Sequence, residues 1–204
     1  MDSKYLEIEA KFLLGDPIKF ERNLIQSGAQ LVQPRCLEVN YRFDNKEGTL
    51  TTSSKVLRLR QDHKQWITFK SAHDINDDVL IRKEIEFEIG DIQAAQALLV
   101  ELGFTLIHTY EKYRQEYSLA ENRIMLDELP YGTFIEIESS DLSSLESCAR
   151  TLRLNWDRRI DLSYMQLYQK LCEFTGLKFG DLTFNQSSFS DLSLEKIHIH
   201  PADL

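Results

Sequence analysis

In several segments of this sequence charged side chains recur at every second position, and their types could do chemistry together. Glu7, Glu9 and Lys11 form one such set, Arg58 and Arg60 a second, Arg82, Glu84, Glu86 and Glu88 a third. Lys70 follows Thr68 in the same way; Lys112 precedes Arg114, Arg123 stands four residues before Asp127, and Glu136 precedes Glu138. A period of two places each set on one face of a β-strand. These faces hold eight acids (Glu7, Glu9, Glu84, Glu86, Glu88, Asp127, Glu136, Glu138) and eight bases (Lys11, Arg58, Arg60, Lys70, Arg82, Lys112, Arg114, Arg123). Carboxylates two residues apart stand about 7 Å from one another along a strand, given a rise of roughly 3.3 Å per residue. Such hard oxygen ligands suit Mg²⁺ or Mn²⁺, which bind jointly to one or two carboxylates and to substrate phosphate oxygens. Guanidinium forks and ammonium point charges suit a chain of phosphates. The combination predicts a metal-dependent polyphosphate site.

The elements that must position these groups are legible from the apolar partners. Leu6, Ile8, Ala10 and Phe12 alternate with the charges of the first segment, and Leu57, Leu59, Ile67 and Phe69 do the same further on. Between the strands lie amphipathic helices near 16–27, 91–102 and 142–154, and a C-terminal helix is predicted from Asp161 or Ser163 onward, with Met165, Tyr168, Leu171 and Cys172 on one side. A phrase of strand, helix and glycine recurs. Glu84-Ile-Glu-Phe-Glu-Ile-Gly, the helix from Asp91 and Gly103-Phe-Thr-Leu-Ile repeat the first strand, the helix from Asp16 and Gly28-Ala-Gln-Leu-Val, whose last residues predict a strand near 29–32. A shorter third version begins at Glu136-Ile-Glu. An ordinary antiparallel sheet with one solvated side would also alternate, but such faces are rich in Thr, Ser and Gln, and these are not. If helices cover the apolar faces, the charged faces point inward, and closing the sheet makes a barrel with a charged, wet interior. That interior is costly unless each charge finds a counter-charge, water or ligand.

The 204 residues carry 24 Lys and Arg against 33 Asp and Glu, a formal charge of −9. That is the wrong sign for coating nucleic acid or anionic membrane, so neither is expected as a partner. The charged N-terminus is unlike a signal peptide, and no segment approaches the roughly 20 apolar residues of a membrane span. Three cysteines with no short metal-ligand spacing read as free thiols in a reducing compartment, which implies a cytoplasmic protein. A monomer or homodimer is expected. Periodicity fails after Gly176, which divides the chain into a domain over 1–176 and a loosely ordered extension over 177–204.

Glu7-Ile-Glu-Ala-Lys11 resembles the Glu-x-Glu-x-Lys signature of the CYTH superfamily, the triphosphate tunnel metalloenzymes. In the same order follow Leu57-Arg-Leu-Arg, Thr68-Phe-Lys, Glu84-Ile-Glu, Lys112-Tyr-Arg, Leu126-Asp, Gly132-Thr-Phe-Ile-Glu-Ile-Glu and the Ser163-Tyr164 opening of the last helix. The resemblance spans residues 5 to about 172. It implies an α+β fold: a closed eight-stranded antiparallel β-barrel, the triphosphate tunnel, with a charged interior and helices packed outside. It implies that Arg58, Arg60, Lys70, Lys112 and Arg114 bind the triphosphate with Lys11 close to it and Arg123 beside them. It places Glu7, Glu9, Asp127, Glu136 and Glu138 on Mg²⁺ or Mn²⁺, and has Glu84 and Glu86 either ligating metal or orienting the bases. Lys11, Glu7 and Glu9 would then stand closest to the reaction. Tyr41-Arg-Phe-Asp-Asn matches the family's Tyr-Phe-Asp stretch except at Arg42, which receives no role.

The function expected is a triphosphatase that releases orthophosphate from tripolyphosphate, thiamine triphosphate or another organic triphosphate. A class IV-type adenylyl cyclase, making cyclic AMP and pyrophosphate from ATP, would use the same contacts, and a non-catalytic polyphosphate or nucleotide sensor needs only part of them. No Walker-type loop, Gly-x-Ser-x-Gly elbow or His-Glu-x-x-His helix offers another chemistry.

Overall fold

The structure is a computed structural model that describes residues 6–76, 79–185 and 192–203, and of 6, 7, 72–76 and 79–81 the backbone alone. Its strands are β1 (Leu6–Leu13), β2 (Gln30–Asn45), β3 (Val56–Gln61), β4 (Gln65–Asn76), β5 (Val79–Glu88), β6 (Phe104–Leu119), β7 (Asn122–Leu129) and β8 (Gly132–Ser139). They close into an antiparallel barrel in the order β1-β5-β4-β3-β2-β6-β7-β8, with β8 returning to β1. The described helices are α1 (Pro17–Gln26), the one-turn α2 (Thr49–Thr52), α3 (Ile92–Glu101), α4 (Leu142–Thr151) and α5 (Tyr164–Thr175).

The recurrent phrase of the sequence is one turn geometry used three times. Asp16, Asp91 and Asp141 cap α1, α3 and α4 by accepting backbone N–H groups of the first turn. Gly28 and Gly103 follow α1 and α3 at φ +93° and +89°, in the left-handed region where a Cβ is unfavourable. After α4 the same reversal falls on Arg153, at φ +57°. The third copy therefore keeps the backbone without the glycine, which is why its sequence echo is fainter. The strand predicted near 29–32 is the start of the much longer β2. Register shifts between Leu31 and Cys36, around Pro34, interrupt its pairing with β6, since proline has no N–H for the ladder.

The apolar faces do point outward. Phe20 and Leu24 of α1 and Leu145, Cys148 and Ala149 of α4 pack on Ala10, Phe12, Ile124, Leu126, Ile135 and Ile137. Leu99 of α3 covers Phe43, Leu57 and Leu59. With its hydrophobic core wrapped around the outside, the barrel turns its charged faces inward. The interior is not charged from end to end, however. The strand faces that carry Lys11, Asp127 and Glu136 continue to Leu13, Leu129 and Phe134, which cluster with Tyr164, Met165 and Ile160 and seal one end. Ser163 caps α5 through a capping box, and the helix buries Met165, Tyr168, Leu171 and Cys172 as its spacing predicts.

The segment after Gly176 is not loose in its described parts. Leu182 and Ala202 are fully buried and Leu194 nearly so. Leu182 forms a parallel bridge to Tyr110, and the Ala202 N–H donates to the Leu13 carbonyl. Scattered single apolar residues anchor this segment, and they carry no period for a sequence reading to find. Among the described residues no helix is long and apolar enough to cross a membrane, and the three cysteines are free. Leu182→Ala should cost about 2–5 kcal/mol, the usual range for truncating a buried leucine. Urea denaturation checks this, and a loss below about 0.5 kcal/mol, the scale of surface substitutions, would show that the tail is not part of the core.

Candidate active site

Beyond the apolar seal the barrel interior opens into a cavity of about 560 Å³. Of the 21 described residues lining it, nine are cationic and six are carboxylates. All eight bases predicted to face inward are there: Arg58 and Arg60 from β3, Lys70 from β4, Arg82 from β5, Lys112 and Arg114 from β6, Lys11 from β1 and Arg123 from β7. Glu9, Glu84, Glu86, Glu136 and Glu138 line it as well. Glu88 is exposed and pairs with Lys64 at 2.7 Å. Glu7 faces Arg82 in the β1–β5 register, but its side chain lies outside the described residues.

The floor of the cavity is a network of buried ions. Asp127, with no exposed surface, accepts from Lys112 Nζ at 3.0 Å, from Arg114 Nε and Nη2 at 2.6 and 2.5 Å, and from the Tyr164 hydroxyl at 2.9 Å. Glu136 takes Arg114 Nη2 at 2.7 Å and Lys11 Nζ at 3.1 Å. Burial alone would raise the Glu136 carboxyl; Lys11, Arg114, Lys112 and Lys70 hold it well below its ordinary value. Lys11 also donates to the Leu162 carbonyl at 3.2 Å and stands 4.3 Å from the Tyr164 ring centre, so the start of α5 fixes its position. Burial, with Asp127 and Glu136 nearby, pushes the Tyr164 hydroxyl well above the usual tyrosine range, which keeps it a neutral donor.

On the β3 side, Glu86 joins the two arginines, 3.5 Å from Arg58 and 2.9 Å from Arg60, and accepts from the Thr68 hydroxyl at 2.6 Å. Lys70 pairs with Glu84 at 2.8 Å. Of the two roles open to Glu84 and Glu86, these contacts correspond to orienting the bases.

Among the residues of this site that escaped the sequence reading are Glu38, Arg42, Tyr110, Glu121 and, as a contact, Tyr164. Glu38, 1% exposed, sits among Lys112 at 3.4 Å, Arg60 at 3.5 Å and Arg114 at 3.9 Å, and accepts from Asn40 at 2.9 Å. Burial would raise its carboxyl, yet Lys112, Arg114, Arg58 and Arg60 hold it far below the carboxylate range. The alternation Glu38, Asn40, Arg42 against Leu37, Val39, Tyr41 was the signal that could have found it. Asp44, the aspartate of the family-like stretch, gathers the N–H groups of Asn45, Leu50 and Thr51 and so fixes the turn into α2.

The carboxylates open to the cavity include one pair suited to a cation. Glu9 and Glu138 are direct cross-strand partners on β1 and β8, a placement that repels unless compensated. Arg123 compensates Glu138 at 2.9 Å, while Arg82 reaches Glu9 only at 3.9 Å. Among the described residues no three acidic, histidine or cysteine side chains form a ready metal cage. The donor set thus fits an ion of the Mg²⁺ type, which takes one or two carboxylates and completes its shell with water and substrate phosphate.

A closed antiparallel barrel, sealed at one end and lined by cations with facing carboxylates, defines a tunnel-barrel protein. The chain belongs to the CYTH family, whose domain matches residues 5–155. A Methanocaldococcus jannaschii protein provisionally named an adenylate cyclase is 24% identical over 173 residues, spanning 79% of this chain and 98% of its own. The X-ray structure of a Vibrio parahaemolyticus protein with the same provisional name superposes with a TM-score of 0.71 at 21% identity, covering 80% of this chain and 98% of the other. A Hippeastrum protein provisionally named an adenylyl cyclase, and described as having a dominant triphosphatase activity, superposes with a TM-score of 0.59 at 17% identity, covering 81% and 95%. At these identities the two structures speak for the fold.

Glu38, Glu86 and Glu136 titrate lower in the folded chain than in the unfolded one. Their stabilisation is therefore complete above about pH 4.5, the ordinary value, and is lost as pH falls toward their folded values. Glu38→Gln should lower the stability of the empty protein at pH 7 by about 3–5 kcal/mol, because Arg60, Lys112 and Arg114 lose a shared counter-charge. It should also flatten the acid limb of the stability profile. Denaturation curves between pH 7 and 3 check both; an unchanged variant would remove Glu38 from the network.

Proposed function

We propose that this protein is a divalent-metal-dependent enzyme that binds a triphosphate inside the barrel and hydrolyses it, releasing orthophosphate. The observation that carries the reading is the cavity itself, lined among the described residues by nine cations against six carboxylates. Such a lining fits a compact polyanion. Arg58 and Arg60 on one wall and Lys112 and Arg114 on the other grip the phosphate chain, with Lys11, Lys70 and Arg123 adding charge along it. Asp127 acts here by holding Lys112, Arg114 and Tyr164 in place, a positioning role in contrast to the ligand role implied by the resemblance. Glu9 and Glu138, with Glu7 and Glu136 adjacent on the same strands, hold Mg²⁺ or Mn²⁺.

When bound, the ion neutralises charge on the phosphoryl oxygens and lowers the pKa of a coordinated water. The side chains of the barrel keep the chain extended and stabilise charge on the equatorial oxygens as the terminal group transfers. Water forms the new bond to the terminal phosphorus, the bridging P–O bond breaks, and diphosphate leaves with its electron pair. The dominant triphosphatase activity described for the Hippeastrum protein supports hydrolysis. The provisional names of the Methanocaldococcus and Vibrio proteins support a second reading, in which the ribose 3′-hydroxyl of ATP attacks the α-phosphate and pyrophosphate leaves.

Purified protein incubated with tripolyphosphate, thiamine triphosphate and ATP, with Mg²⁺ and then Mn²⁺, tests the reading. Orthophosphate is the product expected; cyclic AMP with pyrophosphate would replace hydrolysis by cyclisation, and no product from any of the three would contradict an enzyme. EDTA should abolish turnover. Glu9→Gln and Glu138→Gln should raise the metal concentration needed for half-maximal rate, and Arg60→Ala should weaken triphosphate binding by about 1.5–3 kcal/mol.

A further inference from the structure

Arg42 is the one cavity-lining cation that the sequence reading left without a role, and its surroundings differ from those of the other bases. It stands directly opposite Arg58 in the β2–β3 register and opposite His108 in the β2–β6 register. Like charges placed opposite one another destabilise a sheet. Other arginines of the cavity are held by carboxylates, Arg58 and Arg60 by Glu86 and Arg114 by Asp127. Among the described residues Arg42 has no ion-pair or hydrogen-bond partner, and its Nε is buried and unsatisfied, as is that of Arg58. Burial and the neighbouring Arg58 and Arg82 charges lower its pKa, against the opposing influence of Tyr110 and Asp44. The Tyr110 hydroxyl, 3.2 Å from Arg58 Nη1, lines the same part of the cavity. Burial alone would raise that hydroxyl's pKa; Arg58 and Lys112 lower it instead.

A half-buried guanidinium with a buried, unsatisfied Nε and no counter-ion among the described residues, placed opposite a second guanidinium, is costly unless an anion joins them. We infer that Arg42 and Arg58, with the Tyr110 hydroxyl, form an anion subsite that takes one phosphoryl group of the bound polyphosphate, Arg42 serving as a binding residue. Two forks converging on one group match the oxygens of a phosphoryl unit better than the single charge of an ammonium would. This inference rests on the reading of the cavity as a triphosphate site and adds a contact to it. The empty protein carries the repulsion between the two arginines, and the ligand removes it.

Calorimetric titration of tripolyphosphate into the natural protein, Arg42→Met, Arg42→Lys and Lys112→Met, with melting temperatures of the ligand-free proteins, tests the inference. Arg42→Met should raise Kd about ten- to a hundredfold, the scale of losing a hydrogen bond to a charged group. Arg42→Lys should fall between, since it keeps the charge and loses the fork. Arg42→Met should not melt below the natural protein, because it relieves the repulsion, and Arg42→Lys, which keeps the charge, should melt close to the natural protein. An unchanged Kd in Arg42→Met while Lys112→Met loses binding would overturn the subsite and leave the triphosphate reading intact. A sharp fall in melting temperature in both Arg42 variants, with Kd kept, would make Arg42 a structural residue and also overturn it. Failure of the natural protein to bind tripolyphosphate would overturn the triphosphate reading and the subsite together.

Discussion

Charges taken out of water must be paired, and this constraint organises the barrel. A buried ion costs several kcal/mol unless a partner and further hydrogen bonds compensate it. Here the compensation is built as shared carboxylates: Asp127 between Lys112, Arg114 and Tyr164, Glu86 between Arg58 and Arg60, Glu38 between Arg60 and Lys112. Each of these carboxylates satisfies more than one cation, and among the described residues cations outnumber carboxylates in the cavity lining. The fold thus tolerates an interior of charge by fixing it, and the same fixing leaves donors aimed at one enclosed volume.

The rest of the architecture serves this arrangement. Helices α1, α3 and α4 bury the outer faces of the strands, so stability comes from a core wrapped around the barrel and the inside is free for charge. Antiparallel register sets which charges meet, Lys11 opposite Glu136, Glu38 opposite Lys112 and Arg114 opposite Asp127. Helix α5 seals one end and positions Lys11 through the Leu162 carbonyl. A slip of one residue in any strand would move its charges to the apolar outside, so the register is strongly specified.

Much of this was legible in the sequence because period-two alternation is a property of strand geometry alone. The eight bases announced themselves in that way, the outer helices by their own amphipathic spacing and the thrice-used turn by its repeated residues. The missed features carry that signature in an obscured form or not at all. In β2 the irregular pairing around Pro34 obscures the strand, and with it Glu38 and Arg42. The sealing of the interior by Leu13, Leu129 and Phe134 depends on where α5 docks, and the packing of the tail depends on isolated residues such as Leu182. Alternation also could not tell Asp127 from Glu138: both are acids on inward faces, but one lies beneath the cations with its oxygens committed and the other opens to the cavity.

The central claim, that the cavity holds surplus positive charge awaiting a polyanion, is tested most directly by melting the protein with different phosphates in the presence of Mg²⁺. A ligand that binds only the folded state adds about 2.7 kcal/mol at 100 times its Kd, which for a domain of this size shifts melting by roughly 2–4 °C per kcal/mol. Tripolyphosphate should raise the melting temperature by several degrees, while orthophosphate at the same concentration, reaching fewer of the bases, should do far less. Equal shifts for the two anions, or none for either, would contradict the account.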